Sequence, residues 1–519
     1  MRSGMNRAGH GRERAPSSFK RLSGWLGLRG HPSRGCLCAV LVPLGSALAL
    51  TSCATPVPQV LTPRVVPQTF VSQSAEPTPI WPSADWWQGF GSPELSQFVL
   101  AAQQDNRDLA AAVGQVHAAR AQTFIARSAL FPQLSLQAQA VRGSSYFVGC
   151  ASGSTCNRFT PGLGASYEVD LWGLARADLR SAQEALKSTR FAQQALALSI
   201  TANVANGYFN VLALREQIVI AKEDMIAING ILDVIKLRVS TGTSSNLDLA
   251  REQAQAEFEE AELLALDEQE LEARVALAVL LGRIPEDFSV KAQNWDDIRI
   301  PDVAPGLPSQ LLVRRPDVAE AEANLASAHA NVDAARLAFL PQFSLTSTAG
   351  FSSTALTSLL HGPAFIWDAG ANFVQTIFSG TLIGQKQLAY ATQEVLVANY
   401  ENAVLNAYAD VETALGQVRN YADAERHLRR EVDAAQEAFS IAQLQYTQGT
   451  TDLLAVLQAQ QTLFTARDQL VQTHQALLQA FVHLFEALGG GWTEPEMDRT
   501  QFFQSNEPGA RDSVASSSR

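Results

Sequence analysis

The stretch ARSALFPQLSL at residues 126–136 returns as ARLAFLPQFSL at residues 335–345, 209 positions later. The similarity extends upstream without a gap, from residues 106–133 onto residues 315–342. Another pair of stretches lines up downstream, residues 238–249 and 445–456. Self-similarity over this length indicates an internal repeat, so we expect two halves built to one plan.

The repeated phrase lies where one periodicity gives way to another. Before it, larger apolar residues and alanines each recur every seven positions in both halves, which is the pattern of a coiled-coil seam. A proline ends each helical pattern, Pro132 in the first half and Pro341 in the second. After each proline the apolar residues alternate with small polar ones, which predicts a β-strand.

A return strand follows in each half. We expect strands over about residues 133–143 and 162–171, and again over about residues 342–352 and 364–378. One face of each strand is apolar and aromatic, and the other is small and polar. This alternation is typical of a membrane β-barrel wall beside an aqueous lumen, and the alternative is an antiparallel sheet packed on a soluble core.

Four strands are too few to cross a membrane alone. In lipid every backbone polar group needs a partner, so an open four-stranded sheet cannot span the bilayer. Other copies of the chain must supply the missing strands, and three copies would give a twelve-stranded barrel with an aqueous lumen. The pattern therefore predicts a homo-oligomer.

Two long segments without proline, residues 172–241 and 380–448, are rich in Ala, Leu, Gln and Glu. As single helices they would each exceed about 100 Å at ~1.5 Å per residue, so we expect each to fold back as a hairpin. Each segment ends at a glycine, a typical helix C-cap. A further helix is expected after each glycine, over about residues 246–281 and 452–488.

The N-terminus has the features of a bacterial secretory leader. Basic residues precede an apolar segment, residues 36–50, that is too short to span a bilayer, so residues 1–52 are expected to be a signal peptide. The sequence LTSC at residues 50–53 resembles a lipobox, which predicts S-diacylglycerol and an N-palmitoyl group on Cys53. The alternative is an incidental cysteine beside a signal-peptide boundary.

Two further cysteines, Cys150 and Cys156, lie in the glycine- and serine-rich stretch GCASGSTCN. An oxidising compartment could close them into a small disulfide ring. The alternative is a pair of free loop thiols. Two of the five cysteines belong to the leader and one to the lipobox, so this pair completes the count.

The segments outside the two halves are proline-rich or polar. Residues 283–309 are a proline-rich connector, and the segment before residue 92 is also proline-rich and extended. The expected organisation is a signal peptide (1–52), an extended lipid-anchored segment (53–91), a first repeat (92–282), the connector (283–309), a second repeat (310–489) and a polar tail (490–519).

No catalytic or cofactor-binding constellation emerges from the sequence. The eight histidines are scattered without an HExxH motif, and no cysteine pair has zinc-ligand spacing. No GxSxG elbow occurs, and LGGGW at residues 488–492 lacks the lysine of a phosphate loop. Without residues 1–52 the chain has 31 basic and 50 acidic residues, a net charge of −19, which argues against nucleic acid as a partner.

Several stretches together resemble the outer-membrane factors of tripartite efflux systems, the TolC-like channels, and in particular the OprM/NodT lipoprotein subgroup. The stretches are the lipobox at Cys53, WWQGFGSPEL (86–95), NRDL (106–109), RRPD (314–317) and LGGGW (488–492). The resemblance covers nearly all of residues 53–492. It implies a mixed α and β membrane protein whose trimer forms a 12-stranded barrel, continued by a long α-helical, coiled-coil barrel through the periplasm.

The resemblance also implies a function. A passive channel in the outer membrane of a Gram-negative bacterium would conduct small molecules, such as drugs or toxic compounds, out of the cell. Its partners would be outer-membrane lipid, a periplasmic adaptor (membrane fusion protein) and an inner-membrane pump, most simply of the RND type. The alternatives are an exit duct for type I protein secretion and a structural lipoprotein that tethers the envelope layers.

A permanently open pore would leak periplasmic contents, so the inner end is expected to close at rest. With the short arm of each hairpin taken as about 24 residues (~36 Å), a proportion that the resemblance implies, counting back from each glycine that ends a long segment places the hairpin turns near residues 214–224 and 419–428. The gate candidates there are Arg419, Asp423 and Glu425, with Asp433 two turns beyond. Opposite charges could latch neighbouring helices and a carboxylate ring could attract cations, whereas the alternative is a solvated helix face.

The lipobox generates the first prediction. Replacing Cys53 with Ala should abolish incorporation of labelled palmitate, because the thiol and the new N-terminus of that residue are the acceptors. The variant should still reach the membrane, although less firmly, since the strands provide a second anchor. Label retained at the wild-type level would contradict the assignment.

Overall fold

The computed structural model describes residues 81–144, 155–301, 311 and 313–493. Two of the predicted site residues, Cys53 and Cys150, lie outside these ranges, and so do the predicted leader and most of the polar tail. The described part is mostly helical with one small antiparallel sheet.

Both halves of the chain use the same order of elements. A helix leads into two strands, a very long helix follows, and a helix of 35 residues ends each half. In chain order the elements are α1 (Pro93–Asp105), α2 (Arg107–Ser128), β1 (Gln133–Ser144), β2 (Thr155–Val169), α3 (Leu174–Ser240), α4 (Asn246–Leu280), α5 (Pro316–Leu337), β3 (Gln342–Phe351), β4 (Phe365–Val374), α6 (Gly380–Gln448) and α7 (Leu453–Ala487).

The four strands form one sheet in the order β1-β2-β3-β4, and every pair is antiparallel. The strands begin and end close to the predicted positions with one exception. β2 starts at Thr155, seven residues before the expected start at residue 162. Pro161 and Gly162 have the composition of a turn, but the ladder to β1 continues through them, with Pro161 opposite Ala138.

The two long helices contradict the hairpin prediction. α3 is a single helix of 67 residues and α6 a single helix of 69, so neither turns near residues 214–224 or 419–428. Helices of this length are stabilised because shorter helices pack against successive parts of them. On α3, Ser188 donates to Asn324 of α5, and further along the helix Arg215 binds Glu270 of α4.

The turns instead follow the glycines that end the long helices. Gly242 and Gly449 adopt left-handed φ angles of 75° and 78°, which a side chain disfavours. The next helix begins within a few residues in each case. Ser245 and Asp248 form a capping box at the start of α4, and Asp452 accepts a hydrogen bond from the third residue of α7.

An aromatic core holds the chain near the middle of the long helices. Trp86 stacks on Phe485 of α7 with ring centroids 5.0 Å apart, and Phe90 meets Phe209 of α3 at 5.1 Å. The connector is fastened to the same core by Glu94, whose carboxylate accepts two backbone N–H groups from residues 291 and 292 at 2.8 and 3.0 Å. This core joins the first residues of α1 to both helical hairpins, that is, to α3 and α4 of the first hairpin and to α7 of the second hairpin, α6–α7.

The stretches RRPD and LGGGW meet in space. Arg315, almost fully buried, donates to Asp317 and Asp410 and also to the carbonyl oxygen of Ala487 at the end of α7. Gly489 has a φ of 84°, and a Cβ built there would lie 1.8 Å from the carbonyl oxygen of Arg314. The end of α7 therefore docks on the start of α5 only because a side chain is missing.

Replacing Gly489 with Ala should lower the midpoint of thermal helix melting in the purified protein. The left-handed backbone alone costs ~1–2 kcal/mol with a side chain, and the clash with Arg314 adds to it. The matched control is Gly384→Ala inside α6, where a Cβ meets nothing within 4 Å. Equal melting midpoints for the two variants would contradict this account of the contact.

Candidate functional site

The sheet has two chemically distinct faces. On one face aromatic side chains pair across β3 and β4, with Phe343 and Phe373 4.9 Å apart and Phe351 and Phe365 5.7 Å apart. On the other face Ser344 lies opposite Asn372, Thr346 opposite Gly370, and Thr348 donates a hydrogen bond to Asp368. Glu168 of β2 is opposite Ser344 and so shares the polar face.

The apolar face is not packed on a core of the described chain. Leu134 and Leu136 of β1 expose 74% and 77% of their surface, and Trp367 of β4 exposes 72%. In water such a large apolar surface is unfavourable at about 25 cal/mol per Å². Among the described residues, this exposure argues against a sheet covered by a soluble core and fits a surface that faces lipid.

Large apolar side chains also surround one end of the sheet. They stand where the strands join the helices, with Phe131 before β1, Trp172 after β2 and Phe378 after β4. The Trp172 indole N–H donates to the Pro341 carbonyl oxygen at 2.7 Å, which ties the two strand–helix junctions together. Aromatic residues at the ends of membrane-spanning strands are typical of a membrane–water interface.

At the far end of the long helices the two hairpin turns are joined by Arg238. Its guanidinium donates to the carbonyl oxygens of Tyr446 and Thr447 at 2.5 and 3.2 Å, and it lies 4.3 Å from the centre of the Tyr446 ring. A cation beside the unpaired carbonyls at the C-terminus of α6 also interacts favourably with the helix dipole. Arg238 therefore links the tip of one hairpin to the tip of the other.

The predicted gate residues lie elsewhere. Arg419, Asp423, Glu425 and Asp433 are in the continuous part of α6, between 16 and 30 residues before Gly449. At ~1.5 Å per residue they are about 24–45 Å from the turn, so the placement that led to their choice is wrong. Arg419, Asp423 and Asp433 are exposed, and Asp423 pairs with Arg426 in the same helix.

Glu425 is bound within its own protomer. Its carboxylate accepts from Arg429 in α6 and lies 2.7 Å from the Nδ1 of His474 in α7. Burial alone would raise the pKa of Glu425, but the hydrogen bonds from Arg429 and His474 outweigh it and hold that pKa below its ordinary value. The residue thus connects the two helices of one hairpin.

Sequence reasoning missed the long-range polar contacts between the hairpins. Arg467 of α7 binds Asp224 of α3 at 3.0 Å and Gln436 of α6 at 2.7 Å. Neither Arg467 nor Arg238 belongs to a motif, and Asp224 is 243 positions from Arg467 while Tyr446 is 208 positions from Arg238. Only the register between helices brings these groups together.

The cysteines are partly described. Cys156 lies in β2 opposite Gly143 and is disulfide-bonded. Because Cys150 lies outside the described ranges, the pairing of Cys150 with Cys156 stays a prediction, as does the lipid on Cys53.

Two features are absent from the described residues, a metal-binding cluster and a helix able to span a membrane. No group of histidine, cysteine, aspartate and glutamate side chains in this part of the chain is placed to hold a metal ion. None of the helices described combines the length and apolar character needed to cross a membrane.

The family model for outer membrane efflux proteins matches residues 99–283 and 307–490. The chain belongs to the outer membrane efflux protein family. The two matched stretches correspond to the two halves expected at residues 92–282 and 310–489, and the family predicted from the sequence is confirmed. The protein is an outer-membrane efflux channel.

Individual relatives agree with this placement. The efflux channel is 35% identical over 460 residues to the pyoverdine export outer membrane protein OpmQ of Pseudomonas putida, covering 87% of this chain and 97% of that protein. It is 30% identical over 461 residues to the cation efflux system protein CusC of Escherichia coli, covering 87% and 99%. The solved outer-membrane channel OprN superposes with a TM-score of 0.78 at 27% identity, covering 83% and 98%.

Replacing Arg238 with Ala should make the turn at residues 449–452 more sensitive to limited proteolysis. The change removes two hydrogen bonds and a cation–π contact, together about 1–2 kcal/mol, so opening of that turn should increase roughly tenfold. The control is Lys236→Ala, which removes a cation two residues away whose only described ion pair is exposed. Identical cleavage rates in the two variants would show that Arg238 does not hold the tips together.

Proposed function

We propose that three copies of this efflux channel form the outer-membrane exit duct of a tripartite pump. The observation that carries the proposal is the sheet, which combines an exposed apolar face with a small polar face. Its outer strands, β1 and β4, each have an unpaired edge within the described residues. Lipid cannot satisfy those backbone groups, whereas the edges of neighbouring copies can, and three sheets give a closed twelve-stranded barrel.

The helices support the same assembly. Large apolar side chains remain exposed along α4 and α6, and they would be covered by a neighbouring copy that packs helix against helix; they are Phe258, Leu264 and Leu271 of α4 and Leu388, Val395 and Leu405 of α6. Because the strands all join their helices at the same end of the sheet, the long helices leave the membrane on one side. At ~1.5 Å per residue they extend about 100 Å into the periplasm.

This geometry supports partners on the periplasmic side. The tips of the hairpins, around Gly242 and Gly449, are farthest from the membrane and are the surface that a periplasmic adaptor would reach. The adaptor would connect the channel to an inner-membrane pump, most simply of the RND type. Efflux systems of the relatives carry pyoverdine and cations by name, which favours small exported species over secreted polypeptides for this chain as well.

Closure of the inner end at rest is part of the proposal. Because the helices are continuous, we place the closing point at the tips and not in the middle of α6. Arg238 joins the two turns of one protomer at the tips. Arg419, Asp423, Glu425 and Asp433 would then line or brace the wall of the helical barrel and would not form its constriction.

The purified protein in a planar lipid bilayer tests the duct. We expect discrete single-channel conductance from a species that chemical cross-linking identifies as a trimer. A monomer without conductance would contradict the duct and would favour an envelope tether. Loss of small-molecule efflux in cells that lack the gene, restored by the wild-type chain, would distinguish an efflux duct from a secretion duct.

The polar face of the sheet generates a prediction for ion selectivity. Glu168 and Asp368 would contribute six carboxylates to the lumen of a trimer and attract cations. Changing both residues to their amides should lower the cation-to-anion permeability ratio, measured from reversal potentials in a salt gradient. The control is Glu286→Gln in the connector, and an unchanged ratio in the double variant would show that the polar face does not set selectivity.

A further inference from the structure

Over its first three heptads, the helix α4 buries one side chain in every seven where it packs on α3. Positions 252, 259 and 266 are the buried members of this seam over the first three heptads. Leu266 behaves as a seam residue should, since it packs with Leu214, Ile218 and Ala221 of α3. The other two positions are unexpected, because both are glutamates.

Glu252 is the more extreme of the two. Its side chain is 0% exposed, and neither carboxylate oxygen has a hydrogen-bond partner. One turn earlier, Leu249 packs against the apolar cluster that contains Ile231 and Ile235 of α3, so the surroundings on this side are hydrocarbon. An ionised carboxylate in such a place loses its hydration without compensation, and this burial raises the pKa of Glu252 to about 7.

Glu259 lies next to other carboxylates. It is 9% exposed and faces Asp224 of α3, while Glu262 of its own helix is also close enough to repel it. Burial raises the pKa of Glu259, and the charge of Glu262 adds to that rise. Burial likewise raises the pKa of Asp224 to about 7, although Arg467 opposes the shift.

The positive charge near this group is limited. Arg467 of α7 contacts Asp224 at 3.0 Å and Glu223 at 3.7 Å. Its other terminal nitrogen, Nη2, donates to the neutral Gln436 of α6. One arginine therefore faces several carboxylates from α3 and α4, and no cationic contact to Glu252 or Glu259 is found among the described residues.

The second half of the chain provides an internal comparison. Gly449 follows Gly242 by 207 positions, and α7 starts and ends 207 positions after α4. At this offset the residues equivalent to Glu252 and Glu259 are Ala459 and Ala466, and Ala466 is fully buried. A hairpin of the same length thus packs with alanine in these places, so packing alone does not require the carboxyl groups.

We infer that the α3–α4 hairpin is fastened in a proton-dependent way: it packs fully while Glu252 and Glu259 carry protons and loosens toward its tip when they lose them. The equivalent stretch of the α6–α7 hairpin, which has Ala459 and Ala466 at these positions, does not respond; the Glu425–His474 pair of that hairpin lies farther from its tip. If the proposed trimeric duct is correct, the consequence is an inner end that loosens on one hairpin of each protomer as the periplasm becomes alkaline.

The direction of the effect follows from linkage. Both glutamates have folded-state pKa values above that of an exposed glutamate. Their contribution to packing is therefore fully present below the ordinary pKa of the residue and is lost as the pH rises through about 7, the raised pKa of Glu252. The hairpin is tightest in acid and weakest in base.

Hydrogen–deuterium exchange on the full-length protein in detergent tests the inference. Protection factors, corrected for the intrinsic pH dependence of exchange, should fall on the order of tenfold for amides around Glu252 between about pH 5.5 and about pH 8. Amides around Ala459 in α7 should keep the same protection over this range. This comparison within the wild-type chain does not depend on any variant folding.

Variants then identify the groups responsible. The double variant Glu252→Gln, Glu259→Gln should lose the pH dependence in α4, whereas Glu257→Gln, an exposed glutamate of the same helix, should keep it. The reverse change at the fully buried equivalent, Ala466→Glu, should give α7 a pH dependence around that position. Protection in α4 that does not change with pH, or that changes equally in the double amide variant, would overturn the inference while leaving the proposed duct intact.

Discussion

The structure depends on one constraint, that a backbone amide or carbonyl group in lipid must have a hydrogen-bond partner. The sheet of this chain satisfies the constraint on its inner strands and leaves it unmet at the edges of β1 and β4. In the duct proposed above, assembly with other copies therefore completes the backbone pairing of the sheet. In both halves the change from helix to strand occurs at a proline, Pro132 and Pro341, which cannot continue the preceding helix.

The elements next to those prolines could be predicted well. The change from a seven-residue to a two-residue period is local, and β1 and β3 begin where the alternation begins, at Gln133 and Gln342. β2 was predicted too short because Pro161 and Gly162 have turn composition, whereas cross-strand pairing to β1 decides their conformation. The continuous helices were missed for a related reason: no sequence signal interrupts residues 174–240, and the expected hairpin rested on length alone.

The candidate site was less predictable because its contacts join distant parts of the chain. The gate candidates were chosen from local charge density, yet Glu425 is bound to His474 in the next helix and Asp423 to its own helix. Arg238 carries no signal of its own, since its partners are the backbone carbonyls of Tyr446 and Thr447. The two faces of the sheet, in contrast, could be predicted from the sequence, because residues two positions apart along a strand lie on the same face.

The two halves of the chain separate packing from chemistry. A hairpin seam packs with small or apolar side chains at the positions equivalent to Glu252 and Glu259, and α7 has the partly buried Ala459 and the fully buried Ala466 there. With the same geometry present twice, α4 can place glutamates at the corresponding positions, because the second hairpin keeps the helices assembled. The cost of burying Glu252 is then confined to one seam and falls to little when the residue holds a proton. A duplicated fold can in this way contain one rigid and one responsive copy of the same element.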